Sequence, residues 1–305
     1  METQPLGVAE EIDALPARTD GPPAEASVRE PYQPTSDIHV LPTSVAVPGV
    51  GVLTTNAYVL HAQEPVLVDT GLAIESDYFV DALRSVIDPR ELRWVWLTHD
   101  DADHTGSLER VLELAPQAKL VTHGLAALRM GTWWPVPLER VHAIRPGDAL
   151  DVGDRTLRAL RPPTFDNPTS AGIFDTATGA LFSVDAFGAI LPEATNDLSA
   201  IPGEALTAGM VAFATFDAPW TAIVDRAKFG QVIDEVGRLK PSCVLSSHLP
   251  AAGHDLVERF LKVLETVPDA DPFPAPDHEA FGHLAAAMAD ARPAEVPAAN
   301  ELTLA

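Results

Sequence analysis

The chain has 305 residues, with 44 Asp and Glu against 20 Lys and Arg, giving a formal charge of −24. A nucleic-acid binder needs a basic face to neutralise phosphates, and an anionic membrane surface would repel this chain, so both partners are excluded. The 46% of hydrophobic residues can build a large core, while the single cysteine, Cys243, rules out an internal disulfide and any multi-cysteine metal site.

Residues 1–37 are rich in Pro, Ala, Glu and Asp without apolar periodicity and read as a flexible acidic arm. A folded α/β body is expected over residues 38–268, followed at 269–305 by an acidic Ala/Pro-rich tail with one short helix at Phe281–Met288. No apolar run is long enough for a transmembrane helix, and the N-terminus lacks the basic-then-apolar pattern of a secretory signal. Cys243, set in an apolar run, reads as a buried core thiol, and a reducing cytoplasmic setting is expected.

Within the body, Val52–Leu60 and Pro65–Asp69 read as strands, the second stopped by Thr70-Gly71. A helix at Tyr78–Val86, a strand at Arg93–Thr98, a helix at Leu108–Leu114, a strand at Ala118–Thr122 and a helix at Leu125–Met130 follow. The second half predicts strands at Thr156–Leu160, Ala171–Asp175 and Ala180–Val184, the last two joined by a hairpin turn at Thr176–Gly179. Then come a helix at Ala222–Arg238, a strand at Cys243–Ser246 and a helix at His254–Val267. Two mixed halves without a Gly-rich phosphate loop predict two packed sheets with helices outside.

The strand ending at Thr98 runs into His99-Asp100-Asp101-Ala102-Asp103-His104-Thr105-Gly106. Three carboxylates and two imidazoles so close together repel unless a cation sits among them. The bland alternative is a solvated acidic loop ahead of the next helix, which would account for one or two Asp but not for a His at each end. This segment resembles the metal-binding signature of the metallo-β-lactamase superfamily. The likeness extends to Leu67-Val68-Asp69-Thr70-Gly71, to Leu181–Gly188 with Asp185 at its strand end, and to Ser246-Ser247-His248. Asp101 stands where the common hydrolytic motif has its second His, and Asp166 where it has the next one. A carboxylate at 101 together with Asp185-Ala186-Phe187-Gly188 makes the resemblance closest to the flavodiiron and oxygen-binding di-iron proteins.

That resemblance implies an αβ/βα four-layer sandwich with a dinuclear centre at the edge of its sheets. It places one divalent ion on His99, Asp101 and Asp166, a second on Asp103, His104 and His248, and Asp185 as a bridge. Four carboxylates would balance two divalent ions in charge, and the hard, sulfur-free donor set favours iron, with zinc or manganese as alternatives. Asp69 is expected to orient the 99–104 loop, Asp100 to point away from the ions, and His123 to be the rival imidazole.

Function is then expected to be the binding, reduction or sensing of a diatomic gas, O2 or NO. A flavodoxin-like domain does not fit after residue 268, so electrons would come from a separate donor protein, and pairing into a homodimer is expected. The alternative is a zinc or manganese hydrolase of a small neutral ester, thioester or lactone, in which Asp103 orients a metal-activated water and Asp185 holds both ions.

Overall fold

The computed structural model describes residues 30–47 and 50–290; most of the expected acidic arm and the end of the tail lie outside the described residues. Strand β1 (Tyr32–Thr35), six residues ahead of Ile38, pairs with β2 (Ile38–Val47), and β2 with β3 (Gly51–Leu60), as an antiparallel meander. After β4 (Val66–Val68) the strands become parallel, because each connection is a helical crossover. Helix α1 (Ser76–Val86) leads to β5 (Trp94–Trp96), and the short α2 (Ala102–Thr105) with α3 (Leu108–Leu114) leads to β6 (Lys119–Thr122). Helix α4 (Gly124–Met130) leads to β7 (Val141–Ala143), completing the run.

The second sheet begins as an antiparallel meander of β8 (Ala149–Asp151), β9 (Thr156–Leu160), β10 (Gly172–Asp175) and β11 (Ala180–Val184). Gly179, with φ +78°, closes the β10–β11 turn, where a side chain would be strained. Strand β12 (Ile190–Leu191) crosses back to pair with β3 of the first sheet. Two helices, α5 (Gly203–Asp217) and α6 (Arg226–Leu239), then precede β13 (Cys243–Ser246), which lies parallel to β11, and β14 (Ala252–Gly253) forms the edge. Helix α7 (His254–Thr266) packs on this sheet, and α8 (His278–Asp290) covers the segment where a short tail helix was expected.

Three apolar layers separate four layers of structure. Phe79, Leu83, Val111, Leu112 and Met130 join α1, α3 and α4 to the first sheet. Ile38, Tyr58, Trp96, Leu157, Ile173, Phe182 and Leu245 fill the space between the sheets. Met210, Phe229, Ile233, Phe260 and Leu264 bind α5, α6 and α7 to the second sheet. The result is the αβ/βα sandwich expected from the sequence. Among the described residues no helix is long and apolar enough to cross a membrane.

The sequence reading assigned none of β2, β7, β8, β12 and β14 and took β1 into the acidic arm, and two further local features differ from expectation. The helix predicted from Ala222 starts only at Arg226, because the Asp225 side chain caps it by accepting from the Ala227 and Lys228 amides. Ahead of it Pro219–Ile223 forms a separate 3-10 turn with Ile223 exposed. Helix α5 has no counterpart in the sequence reading. It buries Leu206, Gly209, Met210, Phe213, Ala214 and Thr215, so its apolar residues wrap much of its surface and leave little polar stripe as a signal. Its Gly209 lies against β12, where a Cβ would stand 2.2 Å from the Ile190 carbonyl oxygen.

Candidate metal centre

The first part of the site is the loop between β5 and α3. Its anchor is Asp69, held at φ +60° just after β4. One carboxylate oxygen of Asp69 accepts from the Thr98 amide at 2.8 Å; the other accepts from the Thr98 hydroxyl at 2.8 Å and lies 2.9 Å from His104 Nδ1. That pairing turns His104 Nε2 toward the cavity. The loop is tied down further where Thr70 donates both its amide and its hydroxyl to the His104 carbonyl, and where the Gly106 amide donates to the Gly71 carbonyl at 2.8 Å.

Two strands of the second sheet deliver the rest. Val184 takes a left-handed backbone conformation, φ +58°, which a β-branched residue adopts only when its surroundings enforce it. Its carbonyl accepts from the Ser247 amide and the Ser246 hydroxyl on the β13 side. A register irregularity between β11 and β13 falls at the same place, and the chain turns so that Asp185 is buried in the cavity. Beyond the end of β13, His248 lies with Nδ1 2.8 Å from the Thr54 carbonyl, leaving Nε2 for the cavity. The Asn56 side chain fixes the same turn by donating to the Ser246 and Leu249 carbonyls.

All seven residues singled out from the sequence meet here. His99, Asp101 and Asp166 form one group, Asp103, His104 and His248 a second, and His99, His104 and Asp185 a third that joins them; the donor atoms of each lie within 4.8 Å of one another. Asp185 Oδ1 is 3.0 Å from His248 Nε2 and 3.2 Å from His104 Nε2, while Oδ2 is 3.4 Å from His99 Nε2. Yet both Asp185 oxygens and His104 Nε2 are buried without a hydrogen bond among the described residues. Orphaned, mutually facing donors of this kind fit cations and are costly without them.

The electrostatics carry the same mark. Asp166 is exposed on its outer side, yet partial burial raises its carboxyl to about 8, with Asp101, Asp185 and Asp217 adding to the effect. Burial opposes the charged form of His248, but Asp185 and Asp103 outweigh it and lift the imidazole to about 9. His104 is also raised well above its ordinary value, because Asp103, Asp69 and Asp185 overcome its burial. Asp185 is buried as well, yet His99 and His104 hold it well below the usual carboxylate range.

The remaining sequence candidates fall outside the cluster. Asp100 points away, its carboxylate 3.0 Å from Arg129 Nε and accepting from Asn167 and Thr169. Asn167 also donates to Asp101 Oδ1 at 2.6 Å and so fixes that carboxylate. His123 caps α4 by accepting from the Leu125 amide and joins none of the groups. Trp220 donates to the Phe165 carbonyl at 2.7 Å and thereby holds the Asp166 loop. One residue was missed: Asp217, at the end of α5, forms a further group with Asp166 and Asp185. Burial and Asp185 push its carboxyl up to about 7. Without a prediction for α5, nothing in the sequence pointed to it.

Comparison with known proteins agrees with this fold. A family model described as ODP family beta lactamase matches residues 53–248. The flavo-diiron protein FprA2 of Clostridium acetobutylicum is 32% identical over 116 residues, 38% of this chain and 29% of that protein. The anaerobic nitric oxide reductase flavorubredoxin of Salmonella typhi is 30% identical over 134 residues, 44% of this chain and 28% of that protein. Each match thus spans less than a third of the relative's length. Among solved structures, rubredoxin oxygen:oxidoreductase from Desulfovibrio gigas superposes with a TM-score of 0.70 at 20% identity, covering 80% of this chain and 62% of that one.

Proposed function

Since the chain belongs to the ODP family of beta-lactamase-fold proteins, we infer that it holds two iron ions and binds, reduces or senses O2 or NO. The observation that carries this reading is the division of the seven donors into two groups that Asp185 joins, with its two oxygens buried and unpaired. His99, Asp101 and Asp166 would hold one ion and Asp103, His104 and His248 the other, with Asp185 placed between the two groups. The carboxylates at 101 and 166 make the set harder than the imidazole-rich sites that suit zinc. Two relatives carry the names flavo-diiron protein and nitric oxide reductase, which favours redox chemistry over hydrolysis.

Iron held by these residues would supply redox chemistry toward a diatomic ligand. The chain's own part is to orient the imidazoles. Asp69 fixes His104 and the Thr54 carbonyl fixes His248, so each presents Nε2 inward with the other nitrogen engaged. Electrons come from a separate donor protein, and the chain pairs as a homodimer. Elemental analysis of protein produced with iron available should give two irons per chain, and the anaerobically reduced protein should change its visible absorption on exposure to oxygen. One zinc per chain with no oxygen-dependent change would overturn this in favour of the hydrolase.

Loading should also release protons. Asp166, near 8, and His248, near 9, are protonated at pH 6.5, as is the raised His104, and each binds a cation only in its basic form. A net release of protons is therefore expected, and affinity should weaken as pH falls through the range in which these groups become protonated. Calorimetry in buffers of different ionisation enthalpy counts them, and a pH-independent affinity with no release would contradict this ligand set.

A further inference from the structure

We propose that Asp217 is an eighth donor of this centre, beside Asp166 and the Asp185 bridge, and that it gives the half holding Asp166 and His99 a preference for the harder ion when different cations compete. The proposal rests on the di-metal reading above and extends it. Asp217 ends α5, and its carboxylate oxygen lies with those of Asp166 and Asp185 inside a 4.8 Å group. Burial and the Asp185 charge raise its carboxyl, while His248 and His104 oppose the rise, so it lies within the field of the centre. Asp185, whose oxygens it faces, is 2% exposed and itself lacks a hydrogen bond. The placement is built in from the fold. Phe213 of α5 packs against His248 with ring centroids 4.9 Å apart, and Asp217 is one helical turn further on the same face. Gly209, one turn before Phe213, is what lets α5 lie this close to β12.

The consequence is chemical asymmetry. The His104 half has two imidazoles, one carboxylate of its own and the bridge. The His99 half has one imidazole, three carboxylates of its own and the bridge. Imidazole suits zinc and iron, whereas carboxylate-rich oxygen sets suit manganese, so the His99 half discriminates least against Mn2+. The fifth carboxylate also exceeds the charge that two divalent ions cancel, which favours an ion able to become trivalent.

The test uses the full chain, stripped of metal and given one equivalent each of Mn2+ and Zn2+, then read by native mass spectrometry, with Mn2+ affinity measured by calorimetry. The expected product is a single species with one manganese and one zinc. Asp217→Asn should keep zinc and bind Mn2+ roughly 10–100-fold more weakly, the range typical for loss of a supporting group at a metal site, while Asp217→Glu restores it. A statistical mixture of Mn–Mn, Mn–Zn and Zn–Zn chains in the wild type, or unchanged Mn2+ affinity in Asp217→Asn, overturns the proposal and leaves the di-metal reading standing. A wild type that binds no more than one ion of any kind overturns both.

Discussion

Asp185→Ala should strip the protein of at least one ion and, because this carboxylate faces all three imidazoles, most of the second. Its oxygens lie 3.0 to 3.4 Å from His248, His104 and His99, and no other described group joins the two halves in this way. Wild type should gain stability on adding metal, about 2.7 kcal/mol when the free ion is a hundredfold above its dissociation constant. The variant should gain little of it. His123→Ala is the control, since that imidazole caps α4 and touches none of the donors, and it should retain both ions. Metal analysis with thermal melts in the presence and absence of added ion checks both. Equal metal content in the two variants would reject the ligand map.

Gly106→Ala should be the most damaging single-methyl change in the site loop. Gly106 has ordinary helical backbone angles, φ −59° and ψ −30°, so conformational freedom is not why glycine stands there. Space is the reason: a Cβ would lie 2.1 Å from the Ala73 amide nitrogen, 2.3 Å from the Leu72 carbonyl carbon and 2.5 Å from the Gly71 oxygen. All three are backbone atoms and cannot swing aside as a side-chain tip can. Overpacking typically costs about 1–3 kcal/mol, and the upper end is expected where only backbone can yield. The forced separation also breaks the hydrogen bond that the Gly106 amide donates to the Gly71 carbonyl and pulls on those that Thr70 donates to the His104 carbonyl. Denaturant unfolding of the metal-free variant should show the loss, and metal content should fall with it. A change below about 0.5 kcal/mol, the size usual for surface substitutions, with full metal content would show that the loop yields freely.

Much of this was legible in the chain because the relevant signals are local. Strands such as Thr156–Leu160, Ala180–Val184 and Cys243–Ser246 are short apolar runs bounded by turn residues, and they occur at those bounds. The 99–106 loop announces itself by charge density, since three carboxylates and two imidazoles cannot crowd together without a cation. Helix α5 left no such trace, because a helix apolar on most of its surface lacks the polar stripe that marks a period. Asp217 was hidden with it. So was the start of α6, which a single Asp225 cap decides against an apolar run that continues upstream.

By itself, then, the sequence marked most strands and helices through their periodicity, and its motifs, through the family they resemble, pointed to the four-layer fold and to seven candidate donors. Only the tertiary structure decided how closely those residues approach one another around Asp185. The distances depend on the left-handed turn at Val184, on the β11–β13 register and on the close approach of the Gly71 and Gly106 segments. It also decided that Asp217, which no motif contains, belongs beside Asp166 and Asp185, since packing of Phe213 on His248 brings together residues far apart in the chain.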